Sequence, residues 1–204
     1  GEYNLAIIIV SYRNGIVLDT VFRDMQILVR ECDNEPPDLR TSIEEICVIA
    51  GDFVEIEVNA GAPVFETDQK VKLGATGKPF TEPISPASFV PSSDDFEDDP
   101  VTKFFRWQTT CEHISDQFYT VVFRAVDDFF PDGTGLATLK TVRIKVVGPP
   151  PEGVQLEADM GTNLITWELP YDCDQAADNF FQGFTVWRRE GSNNFAIDEC
   201  EPGL

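Results

Sequence analysis

His113 is the single histidine of the chain and stands two residues after Cys111. A thiol and an imidazole so close in sequence are the raw material of a nucleophile–base dyad, provided the sulfur is free to become a thiolate. Five cysteines, at 32, 47, 111, 173 and 200, in an acidic, strand-rich chain point the other way, to long-range disulfides and an oxidising compartment. The expected pairs are Cys47 with Cys111 and Cys173 with Cys200, each worth roughly 3–4 kcal/mol in the chain-entropy model, with Cys32 left over. A half-cystine has no thiolate, so the dyad lapses. The cysteines are also too scattered for a CxxC zinc ribbon, and one histidine completes neither a zinc site of usual spacing nor a serine-hydrolase triad. Carboxylates are so abundant that any two would imitate a glycosidase pair. The expectation is a chain that is not an enzyme and carries no resident cofactor.

Three further stretches resemble sites and have simpler explanations. Gly74-Ala75-Thr76-Gly77-Lys78-Pro79 has two residues between its glycines where a phosphate loop needs four, and proline follows the lysine, so a turn is expected. The acidic run Asp94 to Asp99 lacks the ordered spacing of a calcium loop and lies in a Ser/Pro-rich segment, Glu82 to Pro100, so it reads as a solvated, mobile loop. Phe129 and Phe130, beside Pro131-Asp132-Gly133, sit at a loop tip where aromatic rings stack on sugars or enter a partner, or fold back to close a core.

These residues are set in 204 positions with 15 Lys and Arg against 36 Asp and Glu, a formal net charge of −21. Such a balance excludes nucleic-acid binding through a basic surface and disfavours anionic lipid. Hydrophobic residues at 42%, with 16 Phe, suffice for packed cores. The apolar run Leu5 to Val10 is too short to cross a bilayer as a helix and has no signal-peptide flanks, so no membrane insertion is expected.

Short stretches of Val, Ile, Phe and Thr recur between Gly, Pro, Asn and Asp clusters, and helical periodicity is absent, which predicts an all-β chain. Tyr3–Ser11 and Val21–Arg30 flank Asn14-Gly15, the strongest short-range hairpin signal. Phe118–Val126 and Leu139–Val147 flank a Gly-rich loop and look like a repeat of the first hairpin, Tyr3 falling with Tyr119. Strands are also expected at 43–48, 53–59, 69–75, 103–108, 154–156, 164–167 and 184–188. Proline pairs at 36–37 and 149–150 suit stiff connectors. They divide the chain into 1–34, the C-terminal hairpin of a preceding Ig-like domain; 35–148, a complete β-sandwich; and 149–204, the N-terminal part of another. On this reading the chain begins and ends inside domains.

Phe123-Arg124-Ala125-Val126-Asp127-Asp128 and the linker 29–37 resemble cadherin-like and bacterial Ig-like repeats. Leu164-Ile165-Thr166-Trp167 with Phe184 to Arg189 resembles the start of a fibronectin type III domain. Taken in order, Tyr12 to Gly15, Arg23 to Gln26, Cys47 to Gly51, Gly74 to Phe80, Trp107 to His113 and Lys140 to Val142 resemble a family of large Bacteroidota surface proteins. Members carry a gliding motility-associated C-terminal domain and leave by type IX secretion. The resemblance implies a cell-surface location, partners in the outer membrane or the secretion and gliding machinery, and surface polysaccharide as a further ligand. From the cadherin-like likeness comes a calcium expectation at Asp33, Asn34, Asp127 and Asp128, although the second junction, 148–151, has no carboxylate. Asp19-Thr20-Val21 resembles the O-glycosylation acceptor of these bacteria, with Thr20 the modified residue. The functional expectation is a stalk or adhesin segment. Alternatives are an accessory, carbohydrate-binding segment of a secreted hydrolase and a subunit of an outer-membrane complex.

Overall fold

The computed structural model describes residues 1–29, 34–63, 68–129, 135–169, 172–173, 183–186, 188 and 190–191. The chain divides into two compact units, Gly1–Glu35 and Pro36–Leu204.

The described residues of the first unit include one hairpin. β1 (Glu2–Arg13) and β2 (Ile16–Leu28) pair antiparallel from Glu2↔Leu28 to Arg13↔Ile16, with one irregularity at Ser11/Tyr12. Asn14 and Gly15 turn the chain with φ of 50° and 77°, the positive angles that a two-residue turn of matching twist requires. Nearly every side chain of both strands is exposed, Tyr3, Ile8, Ile16 and Phe22 all above half.

The second unit contains an Ig-like β-sandwich. Its strands in chain order are β3 (Asp38–Thr41), β4 (Glu45–Ile49), β5 (Phe53–Gly61), β6 (Lys70–Gly77), β7 (Ser88–Val90), β8 (Glu97–Asp98), β9 (Val101–Gln108), β10 (Tyr119–Asp127) and β11 (Ala137–Val147). One sheet runs β4-β11-β10-β6-β8 and the other β3-β5-β9-β7. Among the described residues all pairings are antiparallel except β4 with β11, which are parallel. A separate two-stranded sheet follows, β12 (Gln155–Asp159) with β13 (Thr162–Thr166).

Alternation decides what lies between the sheets. In β5, Val54, Ile56 and Val58 are buried while Phe53, Glu55 and Glu57 are exposed, the two-residue period of a strand with one wet face. The same period in β10 buries Tyr119, Val121, Phe123 and Ala125, and in β11 Val142, Ile144 and Val146. Across the gap Phe105 packs edge-on to Phe123 and Phe80, and Trp107 edge-on to Tyr119. Complete burial of a side chain such as Phe123 is worth about 2–3 kcal/mol.

Two polar side chains belong to this core. Lys103 is 1% exposed; its Nζ donates to the carbonyls of Leu73 and Ser93 at 3.1 and 3.0 Å. It also lies 2.8 Å from Glu97 Oε1, an ion pair whose angle falls short of a hydrogen bond. His113 accepts the Thr110 N–H at Nδ1 and contacts the Ile84 carbonyl through Nε2 at 2.9 Å, its ring packed on Trp107. These partners fit the neutral ring protonated at Nε2, so His113 is a satisfied core residue.

The segment expected to be a solvated acidic loop keeps Asp94 and Asp98 exposed but contains two short strands. It contributes β7 and β8, and its carboxylates answer lysines of the neighbouring strands: Asp94 with Lys72 at 3.3 Å, Glu97 with Lys103, and Asp98 with Lys70 at 2.9 Å. Asp99 Oδ1 accepts the Ala62 N–H. Conversely, Phe184 to Val186 and Arg188 form no strand; Phe184 packs its ring against Trp167 instead.

Candidate binding surface

The expected disulfides are not the ones formed. Cys111 bonds to Cys173, which rules out both Cys47–Cys111 and Cys173–Cys200. Cys47 is itself disulfide-bonded, to neither of those two; Cys32 and Cys200 lie outside the described residues. The physical reason is topological. Cys47 lies on edge strand β4, opposite Lys145 in register, whereas Cys111 opens a short 3₁₀ turn, Cys111–His113, after β9. A disulfide needs Cα atoms within about 7 Å, and Cys111 finds that distance, 5.3 Å, at the nearly buried Cys173. The bond closes a loop of 62 residues, worth about 4 kcal/mol if chain entropy is the dominant effect.

Of the four expected calcium residues, Asp127 and Asp128 accept backbone N–H groups. Asp127 is fully buried; its Oδ1 accepts the N–H groups of Phe129 at 3.2 Å and Leu136 at 3.0 Å, closing the base of the β10–β11 loop. Gly135 permits this approach, since a Cβ there would stand 2.1 Å from the Asp127 carbonyl oxygen. Asp128 Oδ1 accepts the Lys70 N–H at 2.9 Å while its own N–H donates to the Lys70 carbonyl. Asn34 is buried and belongs to the first unit; Asp33 lies outside the described residues. Among the described residues no three His, Cys, Asp or Glu side chains are grouped to hold a metal ion. Phe129 is half-buried behind the Asp127 turn, and Phe130 lies outside the described residues. Thr20 is exposed on β2, its N–H held by Asp19 Oδ1 at 2.8 Å.

What the fold does assemble is the outer face of the five-stranded sheet. Register places Glu45 beside Arg143 and Cys47 beside Lys145. Thr120 lies beside Arg143, Val122 beside Thr141, and Arg124 beside Leu139. On the far side of β10, Thr76 pairs with Val122, Gly74 with Arg124 and Lys72 with Val126. In a chain of net charge −21, this face gathers Lys70, Lys72, Arg124, Arg143 and Lys145. Most of these charges are committed. Lys70 and Lys72 take Asp98 and Asp94, Arg143 takes Glu45, and Arg143 and Lys145 both lie over the exposed ring of Phe118, at 5.1 and 5.8 Å. The hydrogen bond and charge of Asp98 raise the Lys70 pKa above its ordinary value. At the lower rim, the hydrogen bond from Lys140 holds the Glu44 carboxyl below its ordinary value.

Nothing in the sequence marks this face as a whole. Outward alternation along β10 and β11 was readable, but the placement of Gly74 and Leu139 either side of Arg124 needs the strand order.

No family model and no curated protein matches the chain. Solved structures do. The BIgI domain of the beta protein from S. agalactiae, bound to CEACAM1, is 19% identical over 56% of this chain and 99% of its own, with a TM-score of 0.36. AggA, the major subunit of aggregative adherence fimbriae type I from Escherichia coli, is 14% identical over 58% of this chain and all of its own, at 0.36. The sialic acid binding region of a Streptococcus sanguinis SK1 adhesin, bound to 3′sLn, is 12% identical over 61% of this chain and 34% of its own, at 0.37. At these identities and scores the likeness is one of β-sandwich architecture alone.

Proposed function

We propose that this chain is a non-enzymatic segment of an extracellular surface protein, a stalk or adhesin in which β-sandwich units present a binding face away from the cell. The observation that carries the reading is the Cys111–Cys173 disulfide, locking an acidic Ig-like sandwich. Such bonds persist in oxidising compartments and are rare in the cytosol. High negative charge keeps neighbouring copies soluble and apart. The described residues include no helix long and apolar enough to cross a membrane. The motif resemblance adds a finer proposal, export by type IX secretion to a Bacteroidota outer surface, with the gliding or secretion machinery as partner.

Brief protease treatment of intact cells, followed by mass mapping of the released peptides, tests this. Peptides carrying Cys111 joined to Cys173, released without lysis, are the expected result. Recovery of both cysteines as free thiols in the cytosolic fraction overturns it.

A further inference from the structure

We infer that Arg124 anchors a binding site for a carboxylated sugar on the outer face of the five-stranded sheet. The inference rests on reading that face as the presenting surface.

The first observation is a guanidinium that holds no carboxylate among the described residues. The chain has 36 carboxylates for 15 Lys and Arg, and on this face Lys70, Lys72 and Arg143 each hold one. Among the described residues Arg124, exposed at the middle of β10, makes no ion pair. Arginine presents a planar fork of donors that matches a carboxylate in two parallel hydrogen bonds.

The second observation is independent of charge. Gly74 is the register partner of Arg124 on β6. A Cβ there would meet nothing within 4 Å, and its backbone does not adopt positive φ. Neither packing nor conformation requires glycine, and glycine inside a strand costs about 0.5–1 kcal/mol relative to alanine. What the missing side chain supplies is open backbone directly beside the arginine. On the opposite flank stands Leu139, 63% exposed, an apolar ledge for the C–H face of a pyranose ring. Thr76 and Thr141, both exposed, flank Val122 one step along, and offer hydroxyls about 7 Å diagonally from the arginine position.

The occupant follows from size and chemistry. A protein partner of ordinary affinity needs about 800 Å² per side and an aromatic or arginine anchor in a packed pocket. Here one fork stands on an open patch of threonine, glycine and leucine, which suits one ring carrying one carboxylate. Sialic and uronic acids share that chemistry, and the probes separate them.

The 204-residue chain with its disulfides intact is titrated by saturation-transfer NMR against 3′-sialyllactose, trigalacturonic acid and lactose. The expected result is binding of at least one acidic probe with a Kd on the order of 1 mM, weakening with salt, and lactose at least about tenfold weaker. Arg124→Lys keeps the charge and loses the fork, and lowers affinity about tenfold; Arg124→Ala abolishes binding. Gly74→Leu fills the open space and blocks the probe while leaving the Tm unchanged or higher. Binding of neither acid, equal binding of lactose, or full affinity in Arg124→Ala or in folded Gly74→Leu overturns the inference. Any of these leaves the surface location standing, because protease release from intact cells measures it separately.

Discussion

β1–β2 and β10–β11 are antiparallel hairpins of similar length, each with a Val- and Ile-rich return strand, yet one stands bare and the other forms the middle of a core. Tyr3 is 61% exposed where Tyr119 is 4%, and Phe22 is 67% exposed where Phe123 is fully buried. The difference lies in what flanks them. β10 has β6 on its free edge and β11 has β4, and the β3-β5-β9-β7 sheet covers their inner face. Among the described residues β1 and β2 pair only with each other, and a two-stranded hairpin in water is marginally stable at best. The lesson concerns cause: alternation of apolar residues makes a hairpin possible, but a second layer decides what it contributes to stability.

The sharpest way to break the comparison is to truncate one phenylalanine in each hairpin. Phe123→Ala is expected to cost the sandwich about 3–5 kcal/mol, whereas Phe22→Ala changes its urea midpoint by less than about 0.5 kcal/mol equivalent. Comparable losses would show that the first hairpin also packs against something. A second variant tests the cover itself. Glu97 on β8 is the counter-charge of Lys103 on β9, so Glu97→Ala leaves a buried ammonium held only by carbonyls and should cost about 3 kcal/mol. Replacing Lys103 and Glu97 together by Met and Gln should recover most of that loss, measured by the same denaturation.

Loop glycines come next. Gly135→Ala drives a methyl into the Asp127 carbonyl and is expected to cost about 2 kcal/mol. Gly15→Ala meets no atom within 4 Å but keeps φ at 77°, costing the first hairpin about 1 kcal/mol. Cα chemical shifts of the two turns report each separately. The smallest effect is electrostatic. Lys140→Met should return the Glu44 titration, followed by carboxyl NMR, upward to its ordinary range. A carboxylate held low stabilises the fold above its unfolded pKa, and that contribution fades as pH falls through the folded value. The variant should therefore lose the contribution near neutral pH and show little difference from the parent in strong acid.

Much of the sandwich was legible because its strands keep period two: Phe53 to Val58 and Phe118 to Val126 announce both their length and their buried face. β3 was missed because Asp38-Leu39-Arg40-Thr41 is four residues with a single apolar member, following two prolines. β7 and β8 were hidden in a stretch whose serines, prolines and carboxylates describe a loop until the lysines of β6 and β9 are placed beside them. Phe184 to Val186 and Arg188, the described part of another expected strand, misled in the opposite sense, since the apolar content matches a strand and Phe184 meets Trp167 rather than a ladder. Cysteine pairing was closed to sequence reasoning, because spacing carries no information on which distant segments meet. Arg124 could be assigned to an outward position from its neighbours Phe123 and Ala125, but its bare flank belongs to register.

The Cys111–Cys173 bond also has a mechanical meaning. A pull on the chain from points outside the two cysteines passes through sulfur, so β10, β11, β12 and β13, which all lie between them, are out of the load path. Through this bond alone, tension falls on β3 to β9, which include every strand of the other layer together with β4, β6 and β8. With 62 residues bridged, this bond alone shortens the fully extended chain by roughly 210 Å at about 3.4 Å per residue. A chain built this way has a fixed maximum extension, and the two strands that carry Arg124 and Leu139 are the last to feel the strain.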